Sequence, residues 1–119
     1  MSITIYHNPR CSKSRKTLQL LEEAGVRPRI VEYLRTPPDG GTVLYLAGLI
    51  GVPVAGLLRR GEPEFRQAQD LPDLADDAAL ADWLACHPRV LERPIVVSAA
   101  GNSAVVGRPP ENVLALIDA

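Results

Sequence analysis

Residues 2–34 read as strand, helix and strand in close succession, which leaves few ways to pack them. Ser2–Tyr6 alternate apolar and polar positions as a half-buried strand does. Ser12–Ala24 then place Leu18, Leu21 and Ala24 or Val26 at helical spacing, with Gly25 just beyond as a C-cap. Arg29–Leu34 alternate again and are β-branched, and Thr36-Pro37-Pro38 ends them. Two strands joined through a helix are parallel, and the crossover is right-handed. At 119 residues with 46% hydrophobic composition, the chain supports one core of ordinary size, so a single domain over residues 1–119 is expected.

The middle reads as helical. Thr42–Ile50 carry Val43, Leu46, Leu49 and Ile50 on one face, Pro53–Leu58 suggest a further short turn, and Asp77–Cys86 start acidic and stop at His87-Pro88. Pro37-Pro38-Asp39-Gly40-Gly41 reads as a loop. Toward the end, Pro94–Ser98 and Ser103–Val106 flank the turn residues Ala99–Asn102 as an antiparallel hairpin. A last helix runs from Pro109 or Pro110 to Asp118, with proline in its first turn. The order βαβ, helices, ββα is that of an α/β, thioredoxin-like fold: a four-stranded mixed sheet with a helical insertion, about residues 40–90, between the two halves. In that arrangement the start of the first helix lies near the segment Arg93-Pro94 that enters the third strand.

Net charge is −1, which gives no global field for nucleic acid or an anionic membrane. No apolar run suits a membrane span or a signal-peptide core, so a cytoplasmic protein is expected, and with no large exposed apolar face evident a monomer is expected. Cys11 and Cys86 are too far apart for a metal-ligand pair, and His7 and His87 complete no zinc set, so no metal is expected.

Cys11 falls where the first strand stops and the first helix begins, in His7-Asn8-Pro9-Arg10-Cys11-Ser12-Lys13-Ser14-Arg15. A free thiol titrates at about 8.5, but helix N-termini and nearby cations bring this down to about 3.5–7.5. Unpaired amides after Cys11, and Arg10, Lys13 and Arg15 around it, supply both influences, making Cys11 a candidate nucleophile. Position 14 is serine, so the motif is Cys-x-x-Ser and a modified Cys11 needs an outside thiol for release. Cys86 is expected to be partly buried packing on its helix. Thr17 stands where a phosphatase loop needs arginine, which disfavours phosphate-ester hydrolysis. His7 can favour the thiolate by charge when protonated or by hydrogen bonding. Ser14 can donate to the sulfur or to its own helix backbone. Asn8 and Pro9 shape the loop.

The run His7-Asn8-Pro9-x-Cys11-x-x-Ser14-Arg15-x-Thr17-Leu18 resembles the signature of the glutaredoxin-dependent arsenate reductase family. Leu57-Leu58-Arg59, His87-Pro88, Arg93-Pro94-Ile95-Val96-Val97 and Gly107-Arg108-Pro109 extend the resemblance along the whole chain. The resemblance implies that Cys11 attacks arsenate, that Arg59, Arg93 and Arg108 hold the oxyanion, that His7 lowers the thiol pKa, and that Pro94 follows a cis peptide bond. Arg60 adjoins Arg59, and only the Leu-Leu-Arg match separates them. Glutathione is implied as co-substrate and glutaredoxin as partner, with no tightly bound cofactor. Guanidinium forks suit such a ligand physically, since arsenate, like phosphate, carries about −1.5 to −2 charges near neutrality. Ser12-Lys13 depart from the usual small residues after the cysteine. Two other readings stay open: an Spx-type regulator that binds RNA polymerase, against which Ser14 in place of a second cysteine argues, and a glutathione-dependent thiol reductase of another substrate.

Overall fold

The structure is a computed structural model and describes residues 2–117. The chain forms two compact units: one joins the segment ending at Tyr33 to the segment beginning at Arg93, and the other spans Leu34–Glu92.

In the first unit, β1 (Thr4–His7) leads through α1 (Ser12–Glu23) to β2 (Arg29–Glu32), and β3 (Ile95–Val97) and β4 (Ala104–Val106) follow after the second unit. The sheet order is β2-β1-β3-β4. β1 and β2 are parallel, with Ile5 beside Ile30 and His7 beside Glu32, whereas β1–β3 and β3–β4 are antiparallel. The strand–helix–strand and hairpin expectations therefore hold, with ends displaced by one or two residues. β1 starts later and takes in His7. β2 stops at Glu32, and Tyr33 already belongs to a turn.

α1 presents Thr17 and Leu21 inward, and Leu21 packs with Ile3, Ile5, Val96, Val113 and Leu116. Past Glu23 the helix closes through Gly25, whose φ of +81° is the left-handed conformation, with its N–H on the Glu22 carbonyl. The chain end is tighter than a plain α-helix. Pro110–Val113 form a 3-10 turn, and only Leu114–Ile117 are α-helical. The expected end at Asp118 lies outside the described residues.

In the second unit, α2 (Gly40–Ile50) packs against α4 (Asp77–Cys86), burying Val43, Leu46 and Ala47 of one and Leu80, Ala81 and Leu84 of the other. Here two sequence expectations fail. Gly40 and Gly41 are not loop but the first turn of α2, because the Asp39 carboxylate accepts the Thr42 N–H at 2.8 Å and starts the helix there. Cys86 is exposed rather than packed, because it lies one turn beyond exposed Asp82 on the face opposite the buried residues. Pro53–Leu58 becomes a 3-10 turn, Val54–Leu57. Short α3 (Pro63–Arg66), between these elements, has too few residues for periodicity to reveal it. No helix among the described residues is long and apolar enough to cross a membrane.

Leu21 is fully buried at the centre of the first unit's core. Leu21→Ala is expected to cost about 2–5 kcal/mol of stability, read from the urea midpoint by circular dichroism; a loss under 1 kcal/mol would contradict this packing.

Candidate active site

The loop between β1 and α1 is tied to itself. The Cys11 N–H donates to the Asn8 carbonyl at 3.0 Å, and Asn8 Oδ1 accepts the Arg10 N–H at 3.0 Å. These bonds leave Cys11 as the N-cap residue in extended conformation, φ −95° and ψ 122°. Burial by itself raises the Cys11 thiol, but the Ser14 amide, an Arg93 side-chain hydrogen bond, the Lys13 amide and the Arg108 charge outweigh it. The net shift is downward, toward thiolate.

The cations responsible are not those adjacent in sequence. Arg10 and Lys13 are exposed, and Arg15 spends its Nη1 on the Pro9 carbonyl. The charge comes instead from distant Arg93 and Arg108. Arg108 Nη2 lies 3.5 Å from Cys11 Sγ, while its Nε donates to the Arg93 carbonyl at 2.7 Å. Both arginines precede cis peptide bonds, Arg93-Pro94 and Arg108-Pro109, the second unforeseen from sequence.

Gly107 sets this arrangement. A Cβ at that position would stand 2.6 Å from Thr17 Oγ1 and 2.8 Å from Pro94 Cγ, neither of which has a flexible stem to move aside. The Gly107 N–H donates to the Pro94 carbonyl at 2.9 Å, so the residue before Arg108 is pinned against both α1 and β3's entry.

His7 and Ser14 meet each other. His7 Nδ1 lies 2.6 Å from Ser14 Oγ, and that oxygen also accepts the Asn8 N–H at 3.0 Å. Ser14 is fully buried. Its hydroxyl proton is satisfied by donation to Nδ1, which places the imidazole proton on Nε2. Burial holds the His7 pKa below the ordinary value, against a smaller upward pull from Glu32, so the ring is neutral near pH 7. The Ser14 side chain therefore serves the loop, and it is the Ser14 amide that reaches the sulfur.

Comparison with known proteins is consistent across sequence and fold. The ArsC family profile matches residues 6–116. The chain belongs to the ArsC family. An arsenate reductase of Neisseria meningitidis serogroup B is 44% identical over 117 residues, covering 97% of each chain. An uncharacterized Escherichia coli K12 protein, YfgD, is 44% identical over 116 residues, 97% of this chain and 96% of its own. The solved arsenate reductase of Vibrio cholerae superposes with a TM-score of 0.85 at 40% identity, covering 98% of each chain. The α/β fold is thus the thioredoxin-like one of these relatives.

Within this family member, Arg59 belongs to the Leu34–Glu92 unit. Its Nη1 donates to Glu92 Oε1 at 3.0 Å, and its Nε stands 3.8 Å from Glu62 Oε1. Arg60 is exposed, 6.0 Å over the Phe65 ring. Among the described residues no cluster of three or more His, Cys, Asp or Glu is arranged to hold a metal ion. One site residue had escaped the sequence. Tyr33 is fully buried, and its phenol feels the charges of Arg93 and Cys11. A lone aromatic after an exposed strand carries no periodic signal.

Because the Cys11 pKa is lowered, the thiolate persists as pH falls past the ordinary thiol value and is lost only through the lower folded one. The iodoacetamide reaction of Cys11 should accordingly show a midpoint below that of a free thiol, and Arg108→Gln should move it up. Equal midpoints for both proteins would exclude Arg108 as a stabiliser. Gly107→Ala should cost about 1–3 kcal/mol by overpacking and shift the same midpoint upward.

Proposed function

We propose that this protein is an oxidoreductase that reduces arsenate to arsenite, with Cys11 as nucleophile and glutathione and glutaredoxin as the thiol donors. The observation that carries the reading is the Cys11 thiol with a lowered pKa and the Arg108 guanidinium 3.5 Å from its sulfur. Arsenate reductases among its relatives, similar over nearly the whole chain, support it.

Arg93 and Arg108 hold the tetrahedral dianion beside the sulfur, where planar, permanently charged forks match its oxygens. The thiolate attacks arsenic, an S–As bond forms, and one arsenate oxygen leaves as water. Glutathione thiolate then attacks the Cys11 sulfur. An S–S bond forms, the S–As bond breaks with its electron pair on arsenic, and arsenic departs in the trivalent state as arsenite. Glutaredoxin attacks the glutathione sulfur of the mixed disulfide and releases Cys11 thiolate. In sum, arsenate and two thiols give arsenite, one disulfide and water. The outside thiol is needed because Ser14 occupies the place of a resolving cysteine, and the glutathione requirement suits the cytoplasm.

Phosphate fits the same guanidinium pair, so binding separates the two anions poorly. Selectivity lies in the attack step, since arsenic accepts sulfur readily and phosphorus does not. Arg59 is the third arginine implied by the resemblance, but it is engaged by Glu92 and Glu62, so the reading stands on Arg93 and Arg108.

Purified protein with arsenate, glutathione and glutaredoxin should release arsenite, and Cys11→Ser should abolish the reaction. Arg108→Ala should lower kcat/KM about 100-fold, the scale for removing one preorganised anion donor. Absence of turnover in the wild type, or full turnover by Cys11→Ser, would reject the assignment.

A further inference from the structure

The Tyr33 hydroxyl has no hydrogen-bond partner among the described residues although the residue is fully buried. A buried polar group left in this state costs stability, and its retention in a site calls for a reason. Its surroundings supply one. In the parallel register His7 stands beside Glu32, so the following residues, Asn8 and Tyr33, leave the sheet side by side at the end where Cys11 sits. Arg93 and Asn8 approach the phenol as hydrogen-bond donors, and Cys11 acts on it through its charge. Asn8 Oδ1 accepts the Arg10 N–H, its amide donor is the group that favours the phenolate, and a guanidinium has only donors to offer. The phenol oxygen thus faces donors on its acceptor side. Burial pushes the phenol up to about 12, so the oxygen remains a neutral acceptor throughout the working pH range. The Arg93 side chain that approaches the phenol is also hydrogen-bonded to the Cys11 sulfur.

We propose that Tyr33 is a positioning residue for Arg93: its hydroxyl oxygen takes one N–H of the guanidinium and turns the remaining donors toward a tetrahedral oxyanion at Cys11. The inference rests on the arsenate-reductase reading for its ligand. The slack contact in the free protein closes when the anion draws the guanidinium into place, as hydrogen bonds in unliganded sites commonly tighten in the complex. The cost of a poorly satisfied hydroxyl in the free protein is therefore recovered on binding.

The test is Tyr33→Phe, alone and combined with Arg93→Ala, with two readouts: sulfate protection of Cys11 against iodoacetamide, and arsenate kinetics. Tyr33→Phe should weaken sulfate protection and raise KM for arsenate, each roughly tenfold, as loss of a hydrogen bond to a charged group implies. kcat should change little. Because the hydroxyl lacks a bond in the free protein, Tm should stay equal or rise, an outcome that a merely structural tyrosine would not combine with weaker binding. In the Arg93→Ala background the substitution should have no further effect. Wild-type protection by Tyr33→Phe overturns the proposal, and so does an undiminished loss on top of Arg93→Ala, which would make Tyr33 act without Arg93. A lower Tm in parallel with weaker binding also counts against it. If wild type reduces no arsenate, the functional reading fails by itself, while sulfate protection still decides the role of Tyr33.

Discussion

The site depends on a contact in which one residue has no side chain. Gly107 fills the space between Thr17 of α1 and Pro94 before β3, and its amide is fixed to the Pro94 carbonyl. That close approach delivers Arg108 to two partners at once, the Arg93 carbonyl and the Cys11 sulfur. Helix α1 supplies the thiol, β3's entry supplies one guanidinium and β4's exit supplies the other. Core packing of Leu21 of α1 against Ile5 of β1 and Val96 of β3, with Val105 of β4 against the same cluster, holds these segments together a few residues away. Stability and chemistry are coupled here through geometry. A change that loosens the sheet from α1 also separates the sulfur from its cations.

Electrostatically, the sulfur is a contest that burial alone would lose for the thiolate. Helix-start amides and two guanidiniums reverse the outcome. His7 does not enter as a charge. Its ring is buried and held neutral, and a protonated ring would have to surrender the Ser14 proton it accepts. As pH falls through the ordinary histidine value, the unfolded chain takes up a proton that the folded ring resists, so this pair weakens the fold in acid. Cys11 likewise takes up a proton as pH falls through its own lowered value. Both shifts run in the same direction, so raising the pH favours the fold and the thiolate together.

The sequence carried the first unit well because its signals are periodic or stereochemical. Alternation marks β1, the hairpin turn separates β3 from β4, and Gly25 ends α1 with the left-handed φ that glycine tolerates. It marked the position of Cys11 because a strand stopping and a helix starting on either side of a cysteine is a local pattern. What it misassigned were cations judged by nearness along the chain. Arg10 and Lys13 adjoin Cys11 in sequence and point to solvent, whereas Arg108 reaches the sulfur through a chain reversal no local pattern encodes. The Gly40-Gly41 pair misled for a related reason: glycines read as loop, but the Asp39 cap is a stronger local determinant than glycine's entropy in a first turn. The apolar neighbours of Cys86 suggest packing, whereas its helical phase with Asp82 places it in solvent.

Tyr33 marks the limit of such reading in the other direction. β2 is an edge strand whose first residues are exposed, so its pattern suggests nothing buried beyond Glu32. Only the parallel pairing with β1 reveals that the residue after β2 must lie beside the residue after β1, and the residue after β1 opens the Cys11 loop. Topology thereby converts a position 22 residues downstream of Cys11 into part of its environment. The same crossover that the first strand–helix–strand unit enforces is what brings the thiol and the phenol to one end of the sheet. In this chain the site is a consequence of strand order as much as of motif.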